Sequence, residues 1–275
     1  MRLEPQEFHR IAKAVREYAG ITLLDSKMAL VQARLAKRLR ALGMSEFGSY
    51  CQLIEGRGED ALHERQELIT AITTNVTRFY REPHHFDLLR SRILPPLLEH
   101  ARKGGRVRLW SAGCSTGEEP YTIALTLLEL LPEAGRYDVK ILASDLDRAV
   151  LATASRGIYP ERALEAVPGP LRRTHFDPVP GEGEPCFAIG STPRALISFR
   201  QLNLTLPLPM KGMFDVIFCR NVVIYFDAET ELSVWKAFSE RMSPGSWLFV
   251  GHSERVNTLA LPMFQSDGVT SYRRV

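Results

Sequence analysis

Four short, almost continuously apolar runs in the last two-thirds of the chain most restrict how it can fold. They are VRLWSA (107–112), VKILASD (139–145), FDVIFCRN (214–221) and SWLFVGHS (246–253). Amphipathic helical stretches separate them, which is the pattern of strands buried on both faces of a parallel sheet. Parallel neighbours need crossovers, so the alternation predicts a doubly wound α/β layer. The closing MFQSDGVTSYRR reads as two short strands turning at Asp267-Gly268, an antiparallel hairpin that ends the sheet. A Pro/Gly-rich insert at 177–193, containing PVPGEGEP, interrupts the alternation.

Before about residue 75 the reading is all helical: Glu4 to about Tyr18, Ser26–Ser45, Ser45 to about Leu53, and Leu62 to about Ile72. The second segment carries Lys27, Arg34, Lys37, Arg38 and Arg40 and no acid. At about 100° per residue, Met28, Val31, Leu35, Leu39 and Leu42 share one face. The bases are read as covering roughly the opposite half. An ordinary solvated face interleaves signs, so this ridge, with Arg34, Lys37 and Arg38 together, is a candidate docking surface. Its partner would be acidic, either a nucleic acid or a protein.

Composition removes other classes. A chain of 275 residues with 45% hydrophobic content can bury a real core, and a net charge of +3 predicts neither nucleic-acid nor membrane binding. No run is long and apolar enough to span a bilayer, and MRLEPQEFHR lacks a signal peptide's apolar stretch. Cys51, Cys114, Cys186 and Cys219 form no CxxC pair, which suggests neither zinc ribbon nor disulfide framework. The expectation is a cytoplasmic protein with reduced thiols. His84 and His85 are adjacent, diverge by about 100° on a helix, and have no supporting ligand spacing, so no metal is expected. His252 is given no role.

The strongest chemical signal is the first strand–loop–helix unit, WSAGCSTGEEPYTIA. Gly113 and Gly117 permit a tight turn and close ligand approach, and Glu118, Glu119 and Pro120 open a helix. The spacing is not GxGxxG, and two acids at the helix start would repel a pyrophosphate. Asp145 ends the next strand, 28 residues after Gly117, where a carboxylate accepts from two ribose hydroxyls in such folds. A nucleoside ligand without phosphates and with a cationic group fits both features. S-adenosylmethionine is such a molecule.

Five segments in order, TTNVTRFYREPHHF (73–86), WSAGCSTGEEPYTIA (110–124), ASDLD (143–147), FDVIFCRNVVIYFD (214–227) and GHSE (251–254), together resemble the CheR family. These are the S-adenosylmethionine-dependent methyltransferases that esterify glutamates on bacterial chemoreceptors. The resemblance covers nearly the whole chain and implies a small helical N-terminal domain (1–75), a linker contributing to the cofactor site (76–90) and a Rossmann-like methyltransferase domain (91–275). A small β subdomain would be inserted at about 177–200. Some relatives grip a receptor's C-terminal peptide with that subdomain; the PVPGEGEP loop suggests that this chain does without such a tether.

Residue by residue, the resemblance implies that Asn75, Thr77 and Arg81 close over the cofactor, Glu119 faces it (Glu118 less so), and Asp145 holds the ribose. Asn203 and Leu204 would be adenine-side contacts, with Arg220 and Asn221 opening the motif after the fourth strand. Tyr225 would lie near the transferred methyl, and Arg81 and Tyr225 would be the catalytic pair. The products would be a glutamyl methyl ester and S-adenosylhomocysteine, and the partner the cytoplasmic helical bundle of a chemoreceptor, engaged by a monomer. A nucleic-acid or small-molecule methyltransferase is the rival, although no aromatics interleave with the bases for stacking. A cofactor-binding sensor is another, against which Arg81 and Tyr225 are both present.

Overall fold

The structure, a computed structural model, describes residues 1–180 and 183–275. It forms two compact units: Met1–Thr74 with Tyr225–Ser233, and Asn75–Ile224 with Val234–Val275.

The first unit contains α1 (Pro5–Ala19), α2 (Met28–Ala41), α3 (Phe47–Glu55) and α4 (Glu59–Ile72). Pro5 takes the first helical position of α1, and the Glu4 N–H donates to Glu7 Oε2 at 2.9 Å, one arm of a capping box. Phe8, Ile11 and Val15 of α1 bury with Val31, Leu35 and Leu39 of α2 and with Phe47, Tyr50 and Ile54 of α3. Their three- and four-residue spacing is the helical period, and each contributes about 1.5–3 kcal/mol relative to exposure. A distant segment completes the unit. Phe226 bridges Ile21 in an antiparallel pair, Tyr225 O accepts from Thr22 N–H at 2.8 Å, and Arg16 pairs with Asp227 at 2.6 Å.

The basic ridge of α2 needs correction. Arg38 grips the buried Glu64 through Nε and Nη2 at 2.9 and 2.6 Å, and its Nη1 lies 3.2 Å from Glu67. Arg34 donates to the carbonyls of Ile72 and Thr73 and to Thr74 Oγ1, satisfying the end of α4. Both arginines therefore hold their own unit together. They immediately precede Leu35 and Leu39, so at about 100° per residue they flank the buried stripe. The exposed side of α2 includes instead Leu30, Ala33, Lys37 and Arg40. Of the predicted docking trio, Lys37 alone is exposed.

The second unit is built on a seven-stranded sheet with a smaller sheet inserted. In chain order the strands are β1 (Val107–Ala112), β2 (Val139–Asp145), β3 (Ile158–Pro160), β4 (Phe176–Val179), β5 (Cys186–Ile189), β6 (Ile197–Gln201), β7 (Phe214–Cys219), β8 (Met242–Val250), β9 (Phe264–Ser266) and β10 (Ser271–Arg274). The large sheet runs β6-β2-β1-β7-β8-β10-β9, parallel from β6 to β8 and antiparallel at the closing hairpin. The expected α/β class and hairpin are both present. The small antiparallel sheet, β3-β5-β4, has different bounds from the expected insert. It begins at Ile158, while β6, which the 177–200 range had swallowed, pairs with β2 at the edge of the large sheet. ISFRQ has half-buried and exposed residues only, as an edge strand does, so it lacks the continuous apolar run of its neighbours. Gly181 and Glu182, in the loop behind the no-tether expectation, lie outside the described residues.

The helices α5 (Pro83–Leu88), α6 (Leu94–Arg102), α7 (Glu118–Leu130), α8 (Arg148–Arg156), α9 (Gly169–His175), α10 (Ser191–Ala195) and α11 (Ala228–Ser239) complete the chain. One face of the large sheet packs Leu109, Ile141, Val216 and Phe249 with Ile123 and Leu127 of α7 and Leu94 and Leu98 of α6. On β1, Trp110 meets Phe238 at 5.0 Å between ring centres. Among the described residues no helix is long and apolar enough to cross a membrane.

Candidate active site

Strand order reverses between β1 and β7, and ligands of doubly wound sheets bind beyond the carboxyl ends of the strands at that point. Four segments meet there within the second unit: the loop 113–117 after β1, the end of β2, the loop 220–224 after β7, and GHSE after β8.

In the first loop Gly113, Ser115 and Gly117 all take left-handed backbone, with φ of 84°, 48° and 100°. A Cβ at Gly113 would collide with Val222, and one at Gly117 would come within 2.8 Å of Ala154 and of the Tyr159 hydroxyl. The two glycines are thus required by turn geometry and by the protein's own packing. The tight turn read from the sequence is thus present. Tyr159 OH donates to Thr116 O at 2.7 Å and ties the loop to the small sheet.

Asp145 is half-buried at the end of β2. Its Oδ2 accepts from Ser115 N–H at 2.8 Å and its Oδ1 from Asp147 N–H at 3.0 Å. The Leu146 N–H also interacts with this carboxylate. Burial pushes its pKa up, against the pull of those N–H donors. Ser115 Oγ donates to Asn75 O, and Asn75 Nδ2 to Asp147 Oδ2 at 3.2 Å, so Asn75 joins this corner. The carbonyl of Asp145 accepts from Leu202 N–H at 2.9 Å, beside the half-buried Asn203 and Leu204. Asn203 Oδ1 caps its own turn by accepting from Thr205 N–H at 3.0 Å.

The second cluster centres on Arg220, whose side chain is 2% exposed. Its Nη1 donates to Glu119 Oε2 at 3.1 Å, its Nη2 lies 3.1 Å from Glu82 Oε2 and also donates to the Arg81 carbonyl, and the guanidinium sits 5.5 Å over the Phe86 ring. The other Glu119 oxygen accepts from Ser111 Oγ at 2.6 Å. Two carboxylates share one cation, and their environments separate them. For Glu82, burial raises the pKa, but Arg220 and His252 outweigh it and the net direction is down. For Glu119 burial prevails over Arg220, and the direction is up. Glu118 is buried against Thr116 Oγ1 at 2.7 Å, with its pKa also raised by burial. Both acids at the start of α7 therefore already have protein partners. Arg81 and Thr77 are half-buried, and Arg81 Nη1 donates to Val76 O at 2.9 Å. Tyr225 groups with the first unit and its side chain is partly exposed.

Sequence reasoning missed Glu82 and Glu254, although both stand in quoted motifs. Glu82, in left-handed backbone at φ 58°, also accepts from His252 N–H and faces His252 Nδ1, each at 3.1 Å. In the buried carboxylate of Glu254, Oε1 accepts from the N–H groups of Val222 and Val223, and Oε2 from those of Asn221 and Gly251. A signal was available in that GHSE follows a strand end, where polar groups gather.

Similarity to known proteins identifies the family. Residues 6–73 match the model described as CheR methyltransferase, all-alpha domain, and residues 75–271 match CheR methyltransferase, SAM binding domain. The chain belongs to the CheR methyltransferase family. It is 48% identical over 255 residues to a probable chemotaxis protein methyltransferase of Rhizobium etli, covering 93% of this chain and 94% of that one. With a chemotaxis protein methyltransferase of Salmonella typhimurium it shares 40% over 273 residues, 98% and 90% of the two chains. A third, from Borreliella burgdorferi, is 38% identical over 91% of this chain and 88% of its own.

This CheR-family protein is therefore an S-adenosylmethionine-dependent methyltransferase of the chemotaxis type. The residues fit the cofactor: acceptor capacity left on the Asp145 carboxylate and an unpartnered buried acceptor, Asn221 Oδ1. Asp145→Ala is expected to weaken cofactor binding by about 1–3 kcal/mol, the cost of unmatched polar partners. Calorimetry on the folded variant checks this, and unchanged affinity would remove the ribose assignment.

Proposed function

We propose that this enzyme methylates glutamate side-chain carboxylates of bacterial chemoreceptors, yielding glutamyl methyl esters and S-adenosylhomocysteine. The observation that carries the reading is likeness to chemotaxis protein methyltransferases along 98% of the chain, through both the helical and the cofactor-binding domains. When bound, S-adenosylmethionine supplies an electrophilic methyl group. A glutamate is already ionised near neutral pH, so no general base is required. The protein's task is to align carboxylate, methyl carbon and sulfur, and to exclude water that would solvate the nucleophile. Asp145, Asn75, Asn203 and Leu204 hold the nucleoside end; Thr77, Glu119, Arg220 and Asn221 hold the rest. Arg81 and Tyr225 act nearest the methyl, Arg81 orienting the incoming carboxylate and Tyr225 supporting the sulfonium. The enzyme works as a cytoplasmic monomer. Incorporation of a labelled methyl group into receptors, followed by alkaline release as methanol, tests the proposal; label stable to alkali would refute an ester.

The first unit, residues 1–75 with the returning segment, would dock the receptor. A bundle whose methylated residues lie among other glutamates presents an acidic surface. Lys37 and Arg40, with Leu30 and Ala33, form the matching stripe on α2. Exposed ion pairs contribute about 0–1 kcal/mol each, which gives weak, fast, salt-sensitive docking. Lys37→Ala with Arg40→Ala is expected to lower receptor methylation about threefold to tenfold at low salt. Cofactor affinity should not change. Equal methylation by wild type and double variant at low salt would exclude α2 as the docking face, and strong wild-type binding to DNA would favour the nucleic-acid rival.

A further inference from the structure

The Glu254 carboxylate is buried, with 3% of the residue exposed, yet its hydrogen-bond partners among the described residues are backbone amides and no cation. It is held by four backbone N–H groups: Val222 at 2.8 Å and Val223 at 2.9 Å on Oε1, Asn221 at 2.8 Å and Gly251 at 2.5 Å on Oε2. A carboxylate offers about four lone-pair directions, and here each oxygen takes two donors. Three consecutive amides, 221–223, thus converge on one side chain from the next parallel strand's end. Nothing in methyl transfer to an ionised glutamate consumes or releases a proton at this position.

The segment it holds forms one wall of the crevice. Asn221 sits at φ 60°, a left-handed conformation that a non-glycine residue adopts at some cost and that the surroundings must maintain. Gly251 has no room for a side chain: a Cβ there would approach Asn221 Nδ2 to 2.5 Å, Asn221 N to 2.7 Å and Glu254 Oε2 to 2.8 Å. Val222 in turn fills the space over Gly113, in the loop on the opposite wall. Asn221 Oδ1 is buried and has no hydrogen-bond partner within the described residues. An orphaned buried acceptor costs about 1–3 kcal/mol, and a donor from outside the chain would offset that cost.

We propose that Glu254 is a positioning residue for methyl transfer: it acts as a built-in anion that gathers the 221–223 amides, fixing Asn221 so that Oδ1 meets a hydrogen-bond donor of the bound cofactor. The proposal rests on the cofactor-site reading above. Burial pushes the Glu254 pKa up while its N–H partners oppose the rise, and only the ionised form can accept all four donors. Substitution by Gln, nearly isosteric, turns an NH2 group toward two of those N–H groups, and the strap should loosen without a cavity.

The test compares Glu254→Gln, Asn221→Gly, the double variant and Asp145→Ala. Cofactor dissociation constants come from calorimetry, and single-turnover rates are taken at a temperature where melting curves show each variant fully folded. Asn221→Gly keeps the left-handed backbone accessible and deletes Oδ1. Glu254→Gln and Asn221→Gly are each expected to weaken cofactor binding about tenfold, the scale of one unmatched hydrogen bond. Because Glu254 acts through Asn221, the double variant should be no weaker than about threefold beyond either single, well short of the product. A purely structural Glu254 would lower the melting temperature and leave affinity at the wild-type value, which overturns the proposal. A double variant showing the full hundredfold product overturns it too. Should Glu254→Gln fail to fold, Asn221→Gly alone decides, and wild-type affinity there is fatal. Unchanged affinity in Asp145→Ala would show the cofactor-site reading itself to be wrong; weakened Asp145→Ala beside intact Glu254→Gln removes only the present proposal.

Discussion

Arg220→Met is expected to destabilise the second unit by about 3–5 kcal/mol, the range for breaking a buried ion pair by removing one partner. The guanidinium is nearly inaccessible and is the cation shared by Glu82 and Glu119. Met fills much of the same volume and keeps contact with Phe86, so the loss is electrostatic, with little cavity contribution. Two carboxylates would then face each other in a largely buried site. Urea unfolding at neutral pH measures the loss. Adding Glu119→Gln to Arg220→Met should recover part of it, because one of the two orphaned charges is gone. A loss below about 1 kcal/mol would mean that the network is as weak as a surface pair.

Acid is expected to act through His85. Its ring is fully buried, donating or accepting at Thr270 Oγ1 at 2.8 Å and packed 4.9 Å from Phe249. Burial first, then Arg220 and His84, push its pKa down to about 3, while Glu82, 3.5 Å from Nδ1, pulls weakly the other way. The unfolded imidazole takes up a proton near pH 6.5 and the native one does not until about pH 3. Stability is therefore undiminished above pH 6.5 and falls by about 1.4 kcal/mol per pH unit below it. Glu82 adds to the fall in more acid solution, since its lowered pKa gives stability that is lost as the carboxylate protonates. Between pH 6.5 and 5 the histidine acts alone of these two. Urea titrations at pH 7, 6 and 5 should show this slope in wild type and a flatter one in His85→Gln. Identical slopes would mean that His85 takes up its proton at the same pH in the native and unfolded protein.

Much of the site was legible because its signals are local. Gly113 and Gly117 mark a turn directly after a strand, and Asp145 closes the next strand, so the crevice and the acid at its rim follow from position along the chain. The partners of Glu119 were not legible. Glu119 and Arg220 are 101 residues apart and Glu82 and Arg220 are 138 apart, and no periodicity connects such pairs. The basic ridge was half right for a related reason. A wheel places residues around α2, but which flank meets Glu64 and the end of α4 depends on how the helices pack.

By itself the sequence determined the class of fold: strands buried on both faces must be apolar throughout, and helices packed on one side must be apolar every three or four residues. It determined also where the crevice lies, since a glycine turn and an acid at successive strand ends are set by backbone stereochemistry. Only the tertiary structure decided that residues 225–233 complete the helical unit, that β6 belongs to the large sheet, and that Arg34 and Arg38 face inward. It alone put Glu82 on Arg220 and Glu254 on three successive amides. These are pairings of polar groups far apart in the chain. Their energies depend on burial and direction, which residue order does not encode until the strands and helices are packed.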